Sequence, residues 1–494
     1  MYESTRGNLS GQSASQAIAL GMVPKGGLFV PSTFPVLNWQ ELQGLSYREV
    51  AKRVMTAYLP DFAEVTLDKI VNVYADGTFD GQNPAPLVSV GDFGVLELWH
   101  GPTSAFKDMA LQVLPDLLKI SLEQISLEAE VLILVATSGD TGKAALEGFK
   151  NRAGMHIAVF YPEGGVSPVQ ERQMTTTEGS NTHVIAVKGN FDQCQTAVKQ
   201  MFSSESLKTK LWENKLVFSS ANSINWGRLL PQIVYYFWAY LQAVEQDKVA
   251  LGGVMNVVVP TGNFGNLLAA YYAQRMGLPI AKIICASNKN NVLTNFFAAG
   301  EYQSQRDFFQ TISPSMDILI SSNFERFLYE MSGRKADLIK DWYAPEKRGS
   351  FKVDLQTLNN CREVVFAGWA SEEETLETIA HSYKAYQYVF DPHTAVGMKV
   401  FEDYRTSSQD STFTVIASTA SPFKFAPNVL IALEGINHKQ RDEWQALADL
   451  SQLTGWKIPE GLKDLDKKKA RNVDSFQPES IEEAIRKLFI KENL

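Results

Sequence analysis

Residues 100–112 read His-Gly-Pro-Thr-Ser-Ala-Phe-Lys-Asp-Met-Ala-Leu-Gln, which sets one ammonium group, that of Lys107, among small and apolar side chains. Charged side chains are seldom buried unless something compensates them. Either Lys107 reaches water, or it sits in a cavity where its amine is meant to react. Burial would lower its proton affinity and leave it a nucleophile and a base.

Three other segments have the composition of anion sites. Gly262, Asn263, Phe264, Gly265 and Asn266 fall where an apolar run gives way to a helical pattern, so their N–H groups converge on the positive end of a helix. With no lysine or arginine in the loop, backbone amides would bind a phosphate; an ordinary tight turn explains the same glycines. Thr137, Ser138, Gly139, Asp140, Thr141 and Gly142 follow another apolar run and combine hydroxyls with glycine, which suits a carboxylate. A capped helix start accounts for Asp140 and Thr141 there, but not for the paired hydroxyls and glycines. A phosphate-binding P-loop is excluded, because Thr137 stands where its first glycine belongs and Ala144 follows Lys143.

Asn222, Ser223, Asn225 and Arg228 bring amides, a hydroxyl and a guanidinium within two helical turns, the set expected for a second phosphate or carboxylate, or else a polar cap with an exposed arginine. Thr419 ends an apolar run, and in an open α/β sheet the carboxyl ends of strands face the ligand crevice. His393, in Asp391-Pro-His-Thr394, reads as a structural histidine at a helix start at least as readily as a catalytic base. There is no His-Glu-x-x-His, no Gly-x-Ser-x-Gly and no carboxylate pair at metal spacing, so neither a metal site nor a serine nucleophile is expected.

These loops need a scaffold. Continuous apolar runs at 131–137, 156–161 and 183–188, each followed by a turn and a helical stretch, predict parallel strands covered on both faces. Ser167-Pro168-Val169-Gln170 carries the marks of a capped helix start. A second series begins at 254–260, enters a helix over 267–276, and continues with strands expected at 282–286, 388–390 and 413–418. Repeated βα units in two groups predict two open twisted α/β sheets with helices on both faces. Residues 300–368 read as a helical insertion. The expected division is an N-terminal domain at 1–95, a small α/β domain at 96–225, a large one at 226–430 that includes the insertion, and a helical segment at 431–494.

The chain has 494 residues, 45% of them apolar and 20% charged, which argues for packed domains rather than disorder. Its 46 basic and 55 acidic residues, with no like-charge block beyond Lys467, Lys468 and Lys469, argue against a nucleic-acid partner. The absence of a long apolar window and of a basic, apolar leader predicts a cytoplasmic protein with no membrane partner. Cys194, Cys285 and Cys361, odd in number and far apart, are expected to be free buried thiols.

Taken together, Tyr2-Glu-Ser-Thr-Arg-Gly7, Gly26-Gly-Leu-Phe-Val-Pro31, the stretch from Leu96 to Asp108, the loops at 137–142 and 262–266, and Asn222 to Arg228 resemble pyridoxal-phosphate enzymes of the tryptophan-synthase β fold. Within that fold they are similar to the longer, microbial and fungal threonine synthases, from Tyr2 to about Phe425. The resemblance implies that Lys107 forms the Schiff base with pyridoxal 5'-phosphate and later moves protons. It also implies that Gly262, Asn263, Phe264, Gly265 and Asn266 hold the cofactor phosphate and that Thr419 meets the pyridine nitrogen. Thr137, Ser138 and Thr141 would receive the substrate carboxylate, with Asn222, Ser223 and Arg228 near the substrate phosphate.

Asp140 stands where much of this fold has an asparagine supporting the cofactor 3-oxygen. The implied reaction converts O-phospho-L-homoserine and water to L-threonine and phosphate by γ-elimination and β-addition, in a monomer or homodimer. A phospho-lyase releasing 2-oxobutanoate is the nearest alternative, and a non-catalytic ligand-binding relative the more distant one.

Overall fold

The apolar runs form strands, as expected. In the computed structural model, which describes residues 1–137, 139–347, 349–435 and 442–490, they build two main sheets. The smaller has five strands in the order Ser475–Phe476, Thr182–Val187, Met155–Pro162, Glu130–Ala136 and Leu216–Ser219. All its pairings are parallel, and Val131 through Val135 are buried without alternation because both faces are covered. The larger has six strands in the order Val365–Trp369, Ile280–Ser287, Met255–Pro260, Thr414–Ser418, Phe93–Glu97 and Leu87–Val90. It is parallel except for its last pair, an antiparallel hairpin.

Several expectations need correction. Residues 388–390 form no strand. Their side chains are core, the Tyr388 hydroxyl donates to Glu97 at 2.6 Å, and the segment runs straight into Asp391, which caps helix Pro392–Ser408, so no neighbouring ladder takes it up. The insertion at 300–368 is not purely helical. Alongside Phe324–Met331, Ala336–Trp342 and Leu355–Val364 it holds a two-stranded antiparallel ribbon of Glu301–Gln303 with Ser350–Lys352, pinned by the stacked rings of Tyr302 and Phe351 at 5.2 Å. Strands of three residues are too short to show a period. The boundary drawn at residue 95 falls inside the strand Phe93–Glu97, which pairs with Thr414–Ser418.

The C-terminal segment is helical at Glu443–Thr454 and Ile481–Phe489 but also supplies the edge strand Ser475–Phe476. All three cysteines are free and buried. Among the described residues no helix is long and apolar enough to cross a membrane, and no cluster of metal-ligating side chains occurs.

Helix Asp140–Phe149 packs backbone to backbone against the segment that carries Lys107. A β-carbon at Gly148 would land far inside the van der Waals contact distance of the Leu111 carbonyl oxygen. Gly148→Ala is therefore expected to cost about 3 kcal/mol or more through overpacking, read as a lowered Tm.

Candidate active site

Lys107 immediately precedes the short helix Asp108–Leu111. Ser104 adopts left-handed backbone geometry, at φ 58, and turns the chain toward it. The Phe106 N–H donates to the Thr419 carbonyl at 2.9 Å and the Ser421 N–H to the Ser104 carbonyl at 3.1 Å, which docks the lysine loop onto the end of strand Thr414–Ser418. Asp108 is buried and accepts from the Thr103 N–H at 2.7 Å and its hydroxyl at 2.8 Å, locking the same loop. Burial pushes the Asp108 carboxyl up to about 7.

The Lys107 side chain is 12% exposed; its Nζ donates to Ser315 Oγ at 3.3 Å and lies 3.8 Å from Asp140 Oδ2. Burial lowers its amine to about 8, Asp140 opposing the shift and Lys424 and Arg228 reinforcing it. Asp140 is no helix cap. Its Oδ1 accepts from Lys424 Nζ at 2.7 Å and Gln170 Nε2 at 3.1 Å, and its Oδ2 from Ser315 Oγ at 3.2 Å. Burial pushes this carboxyl up, but Lys424 and Lys107 more than offset it and hold Asp140 well below the usual range.

Ser315, Lys424 and Gln170 are site residues that the sequence reading did not single out. Ser315 is set in place by His393, whose Nε2 accepts the Ser315 N–H at 3.1 Å while its Nδ1 meets Asp391 at 2.7 Å. That geometry makes His393 a structural residue with both ring nitrogens engaged.

The loop after strand Met255–Pro260 has the form of an anion cradle. The N–H groups of Gly262, Asn263 and Phe264 meet no acceptor among the described residues, and helix Gly265–Arg275 begins directly behind them. Phe264 sits in the left-handed region at φ 64, a conformation costly for a bulky residue, and its ring is anchored against Phe324 at 5.0 Å. Asn266 accepts through Oδ1 from the hydroxyls of Tyr235 and Tyr236, so its buried Nδ2 is left without a partner.

Arg228 is buried, donates through one terminal nitrogen to the Ala221 carbonyl at 2.8 Å, and has no acceptor for Nε. Asn323 ties the two loops together, donating to the carbonyls of Asn263 at 3.1 Å and Ser223 at 3.3 Å. Thr137 turns its hydroxyl inward: it accepts the N–H groups of Gly139 at 3.0 Å and Gly142 at 2.9 Å. It shapes the loop and offers no free donor. Thr141 and Asn222 are half-buried, Ser138 lies outside the described residues, and the Thr419 hydroxyl makes no hydrogen bond among them.

Family profiles agree with this arrangement along the chain. One described as "Threonine synthase N terminus" matches residues 1–74, "Pyridoxal-phosphate dependent enzyme" matches 81–418, and "Threonine synthase, C-terminal" matches 394–485. Threonine synthase of Schizosaccharomyces pombe is 38% identical, over 87% of this chain and 89% of its own length. This chain belongs to the threonine synthase family of pyridoxal-phosphate-dependent enzymes.

A crystal structure of threonine synthase from Brucella melitensis with bound pyridoxal phosphate superposes with TM-score 0.87 at 36% identity, covering 99% of both chains. Human "Threonine synthase-like 1" is 40% identical over 86% of this chain, which spans 58% of that relative's length.

The residues present fit the family's cofactor: a desolvated amine, a run of unsatisfied amides, and the unpartnered Asn266 Nδ2. A β-carbon at Gly262 would come 2.7 Å from the Ser315 carbonyl. Gly262→Ala is accordingly expected to displace Ser315 and weaken cofactor binding about tenfold or more, measured by titrating the visible absorption of the bound cofactor.

Proposed function

We propose that this chain is a threonine synthase, converting O-phospho-L-homoserine and water to L-threonine and phosphate. One observation carries the reading: Lys107 and the buried Lys424 share an ionised Asp140, the buried Arg228 adds a third cation that acts on Lys107, and the other carboxyl near Lys107, Asp108, is pushed up to about 7, beside a loop of unsatisfied amides. Each unmatched buried charge costs several kcal/mol, so the site calls for anionic ligands. A phosphorylated cofactor and a phosphorylated amino acid both meet that demand.

In this reading Lys107 holds pyridoxal 5'-phosphate, Gly262, Asn263, Phe264, Gly265 and Asn266 hold its phosphate, and Thr419 faces its ring nitrogen. When bound, the cofactor supplies an electron sink that makes hydrogens on the substrate α- and β-carbons removable. Lys107 takes and returns those protons, an office suited to an amine lowered to about 8. Thr141 and the amides of the loop that Thr137 closes receive the substrate carboxylate. Asn222, Ser223 and Arg228 bind the substrate phosphate and keep it bound as it leaves the γ-carbon. With a neutral hydroxyl at Thr419, the fixed donors of the anion sites carry more of the stabilisation than the ring does.

Incubation of the loaded protein with O-phospho-L-homoserine is expected to yield L-threonine and inorganic phosphate in equal amounts. Phosphate without threonine would overturn the reading.

A further inference from the structure

Lys424 has a fully buried side chain, and the roles proposed above give its ammonium no contact with cofactor or substrate. It comes from the short helical turn Pro422–Phe425, beyond the strand that ends at Ser418. Its Nζ bonds Asp140 Oδ1 at 2.7 Å and the Thr103 carbonyl at 2.9 Å. Thr103 is itself held by Asp108, next to Lys107 in the chain. The opposite oxygen of Asp140 faces Lys107 Nζ at 3.8 Å. One carboxylate is therefore shared between two buried ammonium groups, and one of these also grips the loop that carries the other.

We propose that Lys424 is a positioning residue for Lys107: by taking one oxygen of Asp140 and the Thr103 carbonyl, it fixes where that carboxylate points and how strongly it holds the proton on Lys107. The proposal rests on the reading of Lys107 as the lysine that captures the cofactor. The charged and titratable groups around Lys107 are Asp140 from helix Asp140–Phe149, Arg228 from helix Trp226–Glu245, Asp108 from its own segment, and Lys424; His393 acts on Asp140 from behind Ser315. Removing Lys424 takes away a repelling cation and leaves Asp140 with Lys107 as its nearest cation, so Lys107 must hold its proton more tightly. Removing Asp140 and Lys424 together must loosen it, since the pull of Asp140 exceeds the push of Lys424. Opposite signs from two variants of one buried pair are not what a loss of packing produces.

The test uses full-length protein freed of cofactor. Pyridoxal 5'-phosphate is added at a series of pH values, and the initial rate of imine formation, which needs the neutral amine, follows the fraction of Lys107 that is neutral. Wild type is expected to show a midpoint at about 8. Lys424→Met should move the midpoint up by about one pH unit or more, Lys424→Arg should stay near wild type, and Asp140→Asn with Lys424→Met should move it down. An unmoved midpoint in folded Lys424→Met, or shifts of both variants in the same direction, overturns the proposal. If Lys424→Met does not fold, the double variant is compared with Asp140→Asn alone: the proposal requires the higher midpoint in the double variant, and equal midpoints overturn it. A band that persists in Lys107→Ala would instead overturn the reading of Lys107, which keeps the two failures distinguishable.

Discussion

Lys107→Ala is expected to leave a folded protein that develops no visible band at about 410–430 nm with pyridoxal 5'-phosphate and turns over at least about 10³-fold more slowly. The magnitude follows from the two roles combined in one amine. Holding the cofactor covalently fixes its ring against the anion sites, and proton transfer by a positioned base contributes roughly 10²–10⁴-fold by itself. The variant also removes a buried cation from a site already rich in them, so its Tm should fall little or rise. Absorption spectra before and after borohydride treatment, with a thermal melt, separate the chemical loss from a folding defect. A borohydride-sensitive band that survives the substitution would contradict the assignment.

Arg228→Met is expected to raise KM for O-phospho-L-homoserine by about 10²-fold or more, with cofactor binding nearly intact. The Arg228 guanidinium is buried, uses one nitrogen on the Ala221 carbonyl, and keeps Nε free of any acceptor. Truncating one member of a buried charged hydrogen bond costs about 2–5 kcal/mol, which sets the size of the effect. Burial lowers its proton affinity only to about 10, so it remains a cation wherever the enzyme works. A KM unchanged within a factor of two, alongside lost cofactor, would move Arg228 from the substrate to the cofactor.

What the sequence made legible was the local part of the site. Lys107, the 137–142 turn and the 262–266 turn each announce themselves within a dozen residues, because a strand, a glycine-bearing turn and a helix start follow one another. Residues that complete the site come from far along the chain and carry no such pattern. Ser315 lies 175 positions from the Asp140 it bonds, in the short helical turn Pro314–Met316, and a lone serine is too common to single out. Tyr235 and Tyr236 look like the apolar face of a long helix, and only the fold shows that their hydroxyls hold Asn266 by its side-chain oxygen.

Lys424 is different. It sits in Ser-Pro-Phe-Lys-Phe425, a lone ammonium among apolar residues, which is the same signal that exposed Lys107. The burial argument applied to one lysine applies equally to the other. In the scaffold, buried parallel strands were legible from unbroken apolar runs, whereas the ribbon in the insertion and the edge strands Leu87–Val90 and Ser475–Phe476 were not, since strands of two to four residues are too short to show a period.

The central claim is that phosphate leaves from the γ-carbon and that water adds at the β-carbon. Running the reaction on O-phospho-L-homoserine in water labelled with heavy oxygen tests both halves together. The account predicts one solvent oxygen in the hydroxyl of L-threonine and none in the released phosphate, because the carbon–oxygen bond breaks. Solvent oxygen in the phosphate with homoserine as the product, or 2-oxobutanoate in place of threonine, would contradict it.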